Sequence, residues 1–381
     1  MRLLDRYVLR NFFEPFFLCF FGFLAIWLIF DLSDNGPDFI SEHASLRIVL
    51  QFYLTQLPAI ILIVLPVGLL LALLFSMGKM SRSNEIISML GAGCSVIRLI
   101  TPLLIVGVLA SGVLFALNYK LAPHAEGIKK AALTQIKRGR PNIEHPTLEG
   151  HLFRDRETLR TWYVRKMVAG EPTLQDVVIH QQDANANITK TWYARRAIWN
   201  AKTAEWVLQR GIAKIFDSEG KEDRRINFTA GTAPMSGWRE TPWRISSSSF
   251  EAQSLSVPEL RDYIKYNNDF PRAQLAAYRT HLSQRFALPW NCFAVVLVAA
   301  PLGIVYSRRG VFGGVVASIF IFFGMIFTTN LCLALGKGDR LSPFAAAWTP
   351  NLVVAGIGLV LLYMRSTNRD LPKLTFKRAK R

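Results

Sequence analysis

Long apolar runs and one long polar interruption set the pattern of this chain. Apolar runs cover about 13–30, 52–77 and 96–118, and then about 286–306, 311–335 and 344–364. Each is long enough to cross a bilayer as a helix, which takes ~20 largely apolar residues. The pattern predicts six transmembrane α-helices, three before the interruption and three after it. Pro58 and Pro66 fall inside the second run; membrane helices tolerate proline where neighbours satisfy the freed carbonyls. Residues 2–11 put Leu3, Leu4, Tyr7 and Val8 on one helical face and Arg2, Asp5, Arg6 and Arg10 on the other. That predicts an interfacial helix ahead of the first span. No small-x-small cleavage pattern follows at Asp31-Leu32-Ser33-Asp34, so the first run reads as a retained span.

The interruption, residues 120–281, contains no run long enough to span. It opens with a helix-like stretch at 123–137. Short alternating pieces follow at 151–154, 161–168, 176–181, 188–199, 206–209, 211–217 and 226–229. Turn-forming clusters at Ala169–Pro172, Asn185–Asn187 and Asp217–Gly220 separate them. This spacing predicts an antiparallel β domain of sandwich, jelly-roll or barrel type. Ser246–Ser249 reads as a loop, and 257–270 as a helix returning to the membrane. The chain thus divides into a membrane half at 1–119, a β domain at 120–281, and a second membrane half at 282–381.

Charge changes the picture next. Lys and Arg number 45 against 27 Asp and Glu, a net +18. Much of the excess flanks apolar runs: Arg2, Arg6, Arg10, Arg308, Arg309, and the tail from Lys373 to Arg381. Basic residues in such places report orientation, so the balance argues against nucleic acid as the partner. Both termini and the loops after the second and fourth spans are expected inside. The acidic loop 31–47, with Asp31, Asp34, Asp38 and Glu42, and the β domain are expected outside.

Catalytic signatures are missing. Leu335–Gly338 and Met77–Lys79 lack phosphate-loop spacing, and neither Gly-x-Ser-x-Gly nor His-Glu-x-x-His occurs. Five of six histidines lie in the interruption, unpaired by spacing. Cys19, Cys94, Cys292 and Cys332 have no zinc spacing and imply no disulfide framework. No enzyme activity, metal or cofactor is expected. Spans two to six also hold almost no ionisable residue, whereas gradient-driven transporters keep charges at depth. Asn291, Thr328, Thr329, Asn330 and Asn351 are expected to hydrogen-bond between helices. Any driving force should come from outside the spans.

That points to the turn after span two. Ser81 or Ser83 can cap a short helix, Glu85 suits its first turn, and Gly91 and Gly93 stop it. Ile86, Ile87, Met89 and Leu90 form an apolar patch. A helix over about 81–93 either fits another protein's socket or packs beneath the membrane. Similarly, Phe12, Phe13, Phe16, Phe17, Phe20, Phe21 and Phe23 either face lipid or line an opening for acyl chains.

Several segments, in this order, carry a resemblance. They are Leu4–Tyr7, residues 79–95 with Glu85 and Gly91–Ser95, and Leu121–Pro123. Next come Arg285–Pro289 through Pro301–Gly303, Arg308–Gly310, and Ser342-Pro343 with Ala347–Leu352. The chain resembles the lipopolysaccharide-export permease family of LptF/LptG type. The resemblance implies an ABC transporter in which two homologous permeases pair as a heterodimer. Each has six spans and a periplasmic β-jelly-roll domain. A separate cytoplasmic ATPase dimer supplies the energy. Lipopolysaccharide leaves the bacterial inner membrane between the permeases and passes to a periplasmic bridge protein of β-jelly-roll fold. Glu85, Ile86, Ile87, Met89 and Leu90 would then contact the ATPase. Spans one and five would line the opening, with Phe20, Phe23, Trp27, Phe30, Arg47, Phe323 and Phe327 as lipid-path candidates. One departure stands out: members often carry cations at the outer end of span one, where this chain has Asp31, Asp34 and Asp38. A rival reading is a non-transporting scaffold or signal transmitter whose β domain binds a partner.

Overall fold

The computed structural model describes residues 3–41, 45–123, 125, 129, 147–168, 171–217, 219–238, 240–247, 251–268, 270–304 and 310–367. The Arg308-Arg309 turn, the basic tail and most of the expected helix at 123–137 lie outside these residues. A single helix, α1 (Leu3–Ser41), takes in the amphipathic opening, the phenylalanine run and the acidic stretch. Its 39 residues reach ~58 Å, well beyond a hydrocarbon core of ~30 Å. The expected interfacial helix is therefore the first turns of α1, and most of the expected loop at 31–47 is helical. Side-chain bonds along that stretch favour helix: Asn35 Nδ2 donates to the Asp31 carbonyl at 3.0 Å and Ser41 Oγ to that of Asp38 at 3.1 Å.

The helices α2 (Leu46–Arg82), α3 (Glu85–Gly91) and α4 (Val96–Ala116) complete the first half. A π-helical turn, Leu117–Leu121, continues α4. Beyond the sheet come α5 (Pro242–Ser247), α6 (Val257–Tyr266) and α7 (Arg272–Ala287). A 3-10 turn at Leu288–Trp290 leads to α8 (Asn291–Gly303), followed by α9 (Gly310–Lys337) and α10 (Pro343–Ser366). Among the described residues six stretches are long and apolar enough to cross a membrane. The fourth is Arg272–Gly303, longer at its start than the expected 286–306; Pro289, lacking an N–H, sits in the 3-10 turn where its path changes. Of the expected loop at Ser246–Ser249, Ser246 and Ser247 end α5, whose first turn is held by Thr241 Oγ1 accepting from Arg244 N at 3.2 Å, and Ser248 and Ser249 lie outside the described residues.

The membrane helices pack around α8, which contacts α2, α4, α9 and α10. Its sequence is rich in Ala and Val, and nearly every residue from Cys292 to Gly303 is buried. Small residues let backbones approach where lipid offers no hydrophobic drive. Gly358 of α10 shows the limit: a Cβ there would lie 2.8 Å from Leu297 Cγ and 3.0 Å from its carbonyl carbon. Asn351 Nδ2 donates across to the Ala287 carbonyl at 2.6 Å, as expected. Thr328 and Thr329 instead bond carbonyls of their own helix, at Gly324 and Met325.

Six strands, β1 (Thr147–Asp155), β2 (Arg160–Val168), β3 (Thr173–Gln182), β4 (Ile188–Asn200), β5 (Glu205–Phe216) and β6 (Glu222–Met235), form an antiparallel meander. One face carries the core, where Trp162 meets Trp206 and Trp238 at ring distances of 5.2 and 5.3 Å. The strands share a crease. Regular alternation would bury every second residue, yet burial jumps by three in β2 (Val164, Met167), β3 (Leu174, Val177), β4 (Ala194, Ala197) and β5 (Leu208, Gly211). The ladders skip the same register line, Gly150–Arg165–Asp176–Arg195–Arg210. On alternate strands it is left-handed: φ is 68° at Gly150, 50° at Asp176 and 53° at Arg210. The sequence pieces 206–209 and 211–217 are thus one strand kinked at Arg210. Gly211 is required beside it, since a Cβ would collide with the Tyr193 carbonyl oxygen.

Candidate functional site

Between α2 and α4 the chain makes the short projecting element expected from its sequence, but caps it differently. The residue before α3 is Asn84, left-handed at φ 62°, and no side chain caps the helix. Ser81 is buried, and Ser83 Oγ donates to Glu85 Oε1 at 2.8 Å. The other carboxylate oxygen of Glu85 accepts from Tyr7 Oη at 2.9 Å, tying α3 to the start of α1. Gly93, at φ 87°, turns the chain into α4, where Ser95 Oγ accepts from the N–H of Arg98 at 3.3 Å. The apolar patch divides. Ile86 is fully buried in the membrane-half core, and Met89 and Leu90 pack partly against that core. Ile87 faces outward with Ser88. Ile86 therefore packs the element onto the membrane half, and Ile87 is left exposed.

The lipid-path candidates also divide. Phe20 packs against Gly68 of α2, with a Cβ there 3.6 Å from its Cα, and belongs to the α1–α2 contact rather than to an open surface. Phe23 is half-buried. Trp27 lines a cavity of about 120 Å³ with Leu24, Tyr53 and Leu57. Phe30, Phe323, Phe327 and Arg47 are exposed. The two helices expected to flank an opening are the least covered of the six: only 6% of the apolar window of α1 is buried, and 17% of that of α9.

Toward the C-terminal end of α1, Asp31 is buried and pairs with Lys129 at 2.7 Å. Lys129 also lies over the Trp27 ring, 5.7 Å from its centroid. The carboxylate thus meets a cation from the chain leading into the insert. The sequence offered no spacing by which to join residues so far apart. The same holds at the junction itself. Asn118, in the π turn, donates to the Arg285 carbonyl at 2.8 Å, and Arg285 Nη1 donates back to Asn118 Oδ1 at 3.0 Å. Arg285 Nη2 reaches the Gln253 and Leu255 carbonyls. One guanidinium therefore fastens α4, α7 and the segment descending from the sheet. π turns are uncommon and recur at functional places.

Within the insert, two buried ion pairs tie the β1–β2 turn to the segment around α5. Arg244 Nη1 donates to Asp155 Oδ2 at 3.1 Å, and Arg160 Nε lies 3.2 Å from Glu240 Oε1. Burial pulls the Arg160 guanidinium below its usual range, and Glu240 and Asp155 oppose that shift. His151 Nε2 lies 2.7 Å from the Ile245 carbonyl, which can only accept, so this nitrogen carries the proton. Burial holds the ring below the ordinary 6.5, partly offset by that bond. Among the described residues no cluster of His, Cys, Asp or Glu could hold a metal ion.

The arrangement is that of a multi-pass membrane protein with a short helix at the turn between its second and third spans and a creased antiparallel sheet between its third and fourth. Among curated proteins no relative matches the chain. The family model for the lipopolysaccharide export system permease LptF/LptG matches residues 6–364, and the chain belongs to that family.

Proposed function

We propose that this chain is one permease subunit of an ABC transporter that lifts lipopolysaccharide out of the bacterial inner membrane. It pairs with a second homologous permease, and a cytoplasmic ATPase dimer drives both. The insert is periplasmic. Its creased sheet is part of a jelly-roll-type domain that hands the lipid to a periplasmic bridge protein. The chain works as three parts, 1–119, 120–281 and 282–381. Glu85, Ile87, Met89 and Leu90 meet the ATPase, with Ile86 as their seat.

The observation that carries this reading is the bareness of α1 and α9. Both leave aromatic stripes uncovered, including Phe17, Phe21 and Phe30 on one and Phe320, Phe323 and Phe327 on the other. Exposed apolar residues are ordinary on a spanning helix, but these two stand apart from the other four in how little of them the chain itself covers. The apolar mouth left between two such helices suits acyl chains. A photoreactive residue at Phe327 is expected to crosslink lipopolysaccharide in cells, whereas one at the equally exposed Leu109 of α4 should capture bulk phospholipid only. Equal lipopolysaccharide capture at both positions, or none at Phe327, would favour the scaffold reading.

A further inference from the structure

The crease sets a line of charged side chains across the exposed face of the sheet. Arg165, Asp176, Arg195 and Arg210 follow one another across β2, β3, β4 and β5, all exposed, on a line perpendicular to the strands. Arg165 Nη1 pairs with Asp176 Oδ2 at 3.4 Å. Arg195 and Arg210 share the position that the β4–β5 ladder skips, between the pairs Ala194–Gly211 and Arg196–Gln209, and among the described residues neither forms an ion pair. Like charges directly opposite on neighbouring strands are destabilising. Charged side chains commonly guard sheet edges, but each of these four strands has a neighbour on both sides. Edge protection therefore does not account for them. Two of the residues, Asp176 and Arg210, also hold a left-handed backbone that non-glycine residues adopt at a cost.

These side chains line a shallow, open cleft of about 360 Å³ that also takes in Tyr163 and Tyr193. The two tyrosines are exposed and flank Val178, each paired with it by register. The volume is in the range of small-molecule sites, roughly 300–1,000 Å³. Guanidinium groups bind phosphate through paired N–H bonds, and flat aromatic rings offer an apolar body with a polar edge. We propose that this cleft binds an anionic saccharide, the phosphate-bearing sugar headgroup of the exported glycolipid. An incoming phosphate relieves the Arg195–Arg210 repulsion, while the tyrosines hold the sugar. The inference rests on the permease reading for its ligand and adds a headgroup site in the insert, away from the spans that hold the acyl chains.

The test uses the full-length protein in nanodiscs. The probe is a deacylated, bisphosphorylated glucosamine disaccharide, compared with its dephosphorylated form and with inorganic phosphate. The bisphosphorylated disaccharide should bind the wild type. Removing its phosphates, or substituting Arg195→Gln together with Arg210→Gln, should weaken binding on the order of a hundredfold, as expected when two charge-assisted contacts are lost. Without ligand the double variant should melt at the same temperature or higher, because a repulsion has gone. Unchanged binding in that variant overturns the site. So does a lower melting temperature, which would make the arginines structural. Inorganic phosphate competing as well as the disaccharide overturns the saccharide assignment. Crosslinking at Phe327 reads the permease hypothesis separately: if it captures lipopolysaccharide while the cleft binds nothing, only the headgroup site fails. If Phe327 captures none, the permease reading fails whatever the cleft does.

Discussion

Arg244→Ala is expected to destabilise the insert strongly while the membrane helices stay assembled. The Asp155 and Arg244 side chains are 1% and 4% exposed. Asp155 Oδ1 also accepts from the N–H groups of Glu157 and Thr158, so this carboxylate organises the β1–β2 turn. Removing the arginine leaves the carboxylate buried without its main cation, which costs about 3–5 kcal/mol. Domains are stable by only about 5–15 kcal/mol. The core tryptophans Trp162, Trp192, Trp206 and Trp238 give a direct readout. Their emission should shift to the red and the transition should fall to lower temperature. Replacing both partners, Asp155→Leu with Arg244→Leu, should recover most of the loss, because no charge is then stranded. A melting curve for Arg244→Ala that overlays the wild type would show that the pair is not holding the turn.

The second large effect is expected at the knob between α2 and α4. Ile87→Asp alters an exposed side chain, so the protein should reach the membrane in normal amount and with normal melting. Its co-purification with the ATPase should fall by roughly thirtyfold, the cost of a central interface residue at ~2 kcal/mol. Ile86→Asp should behave differently, because it places a carboxylate in the membrane-half core. It should lower the melting temperature as well as ATPase recovery. If Ile87→Asp recovers as much ATPase as the wild type, this element is not the coupling contact. If Ile86→Asp melts normally, the seat is misassigned.

Much of this was legible in the residues, and the boundary has a physical basis. Runs of apolar residues announce helices in a membrane because every backbone group must be satisfied locally, and all six were visible. The helix ends were not. The first helix continues through Asp31, Asp34 and Asp38, where Asn35 and Ser41 bond carbonyls of the same stretch and Asp31 is met by Lys129, a contact invisible at a separation of 98 residues. The strands were found in place, but Arg210 was read as a gap between two pieces. The signal was present as a three-residue jump between buried positions, repeated in neighbouring strands. It becomes interpretable only when the strands are set side by side. The apolar patch at Ile86, Ile87, Met89 and Leu90 was read as one surface. A seven-residue helix has two faces, and only its packing against α2 decides which is buried.

The central claim is that the spans store no driving force and a nucleotide-hydrolysing partner supplies it. Reconstitution into liposomes tests this most directly, with the delivery of labelled lipopolysaccharide to a soluble periplasmic acceptor as the readout. Delivery should require the second permease, the ATPase and ATP together, and should be indifferent to a proton or sodium gradient. Delivery by this chain alone, driven by an ion gradient without nucleotide, would contradict the account.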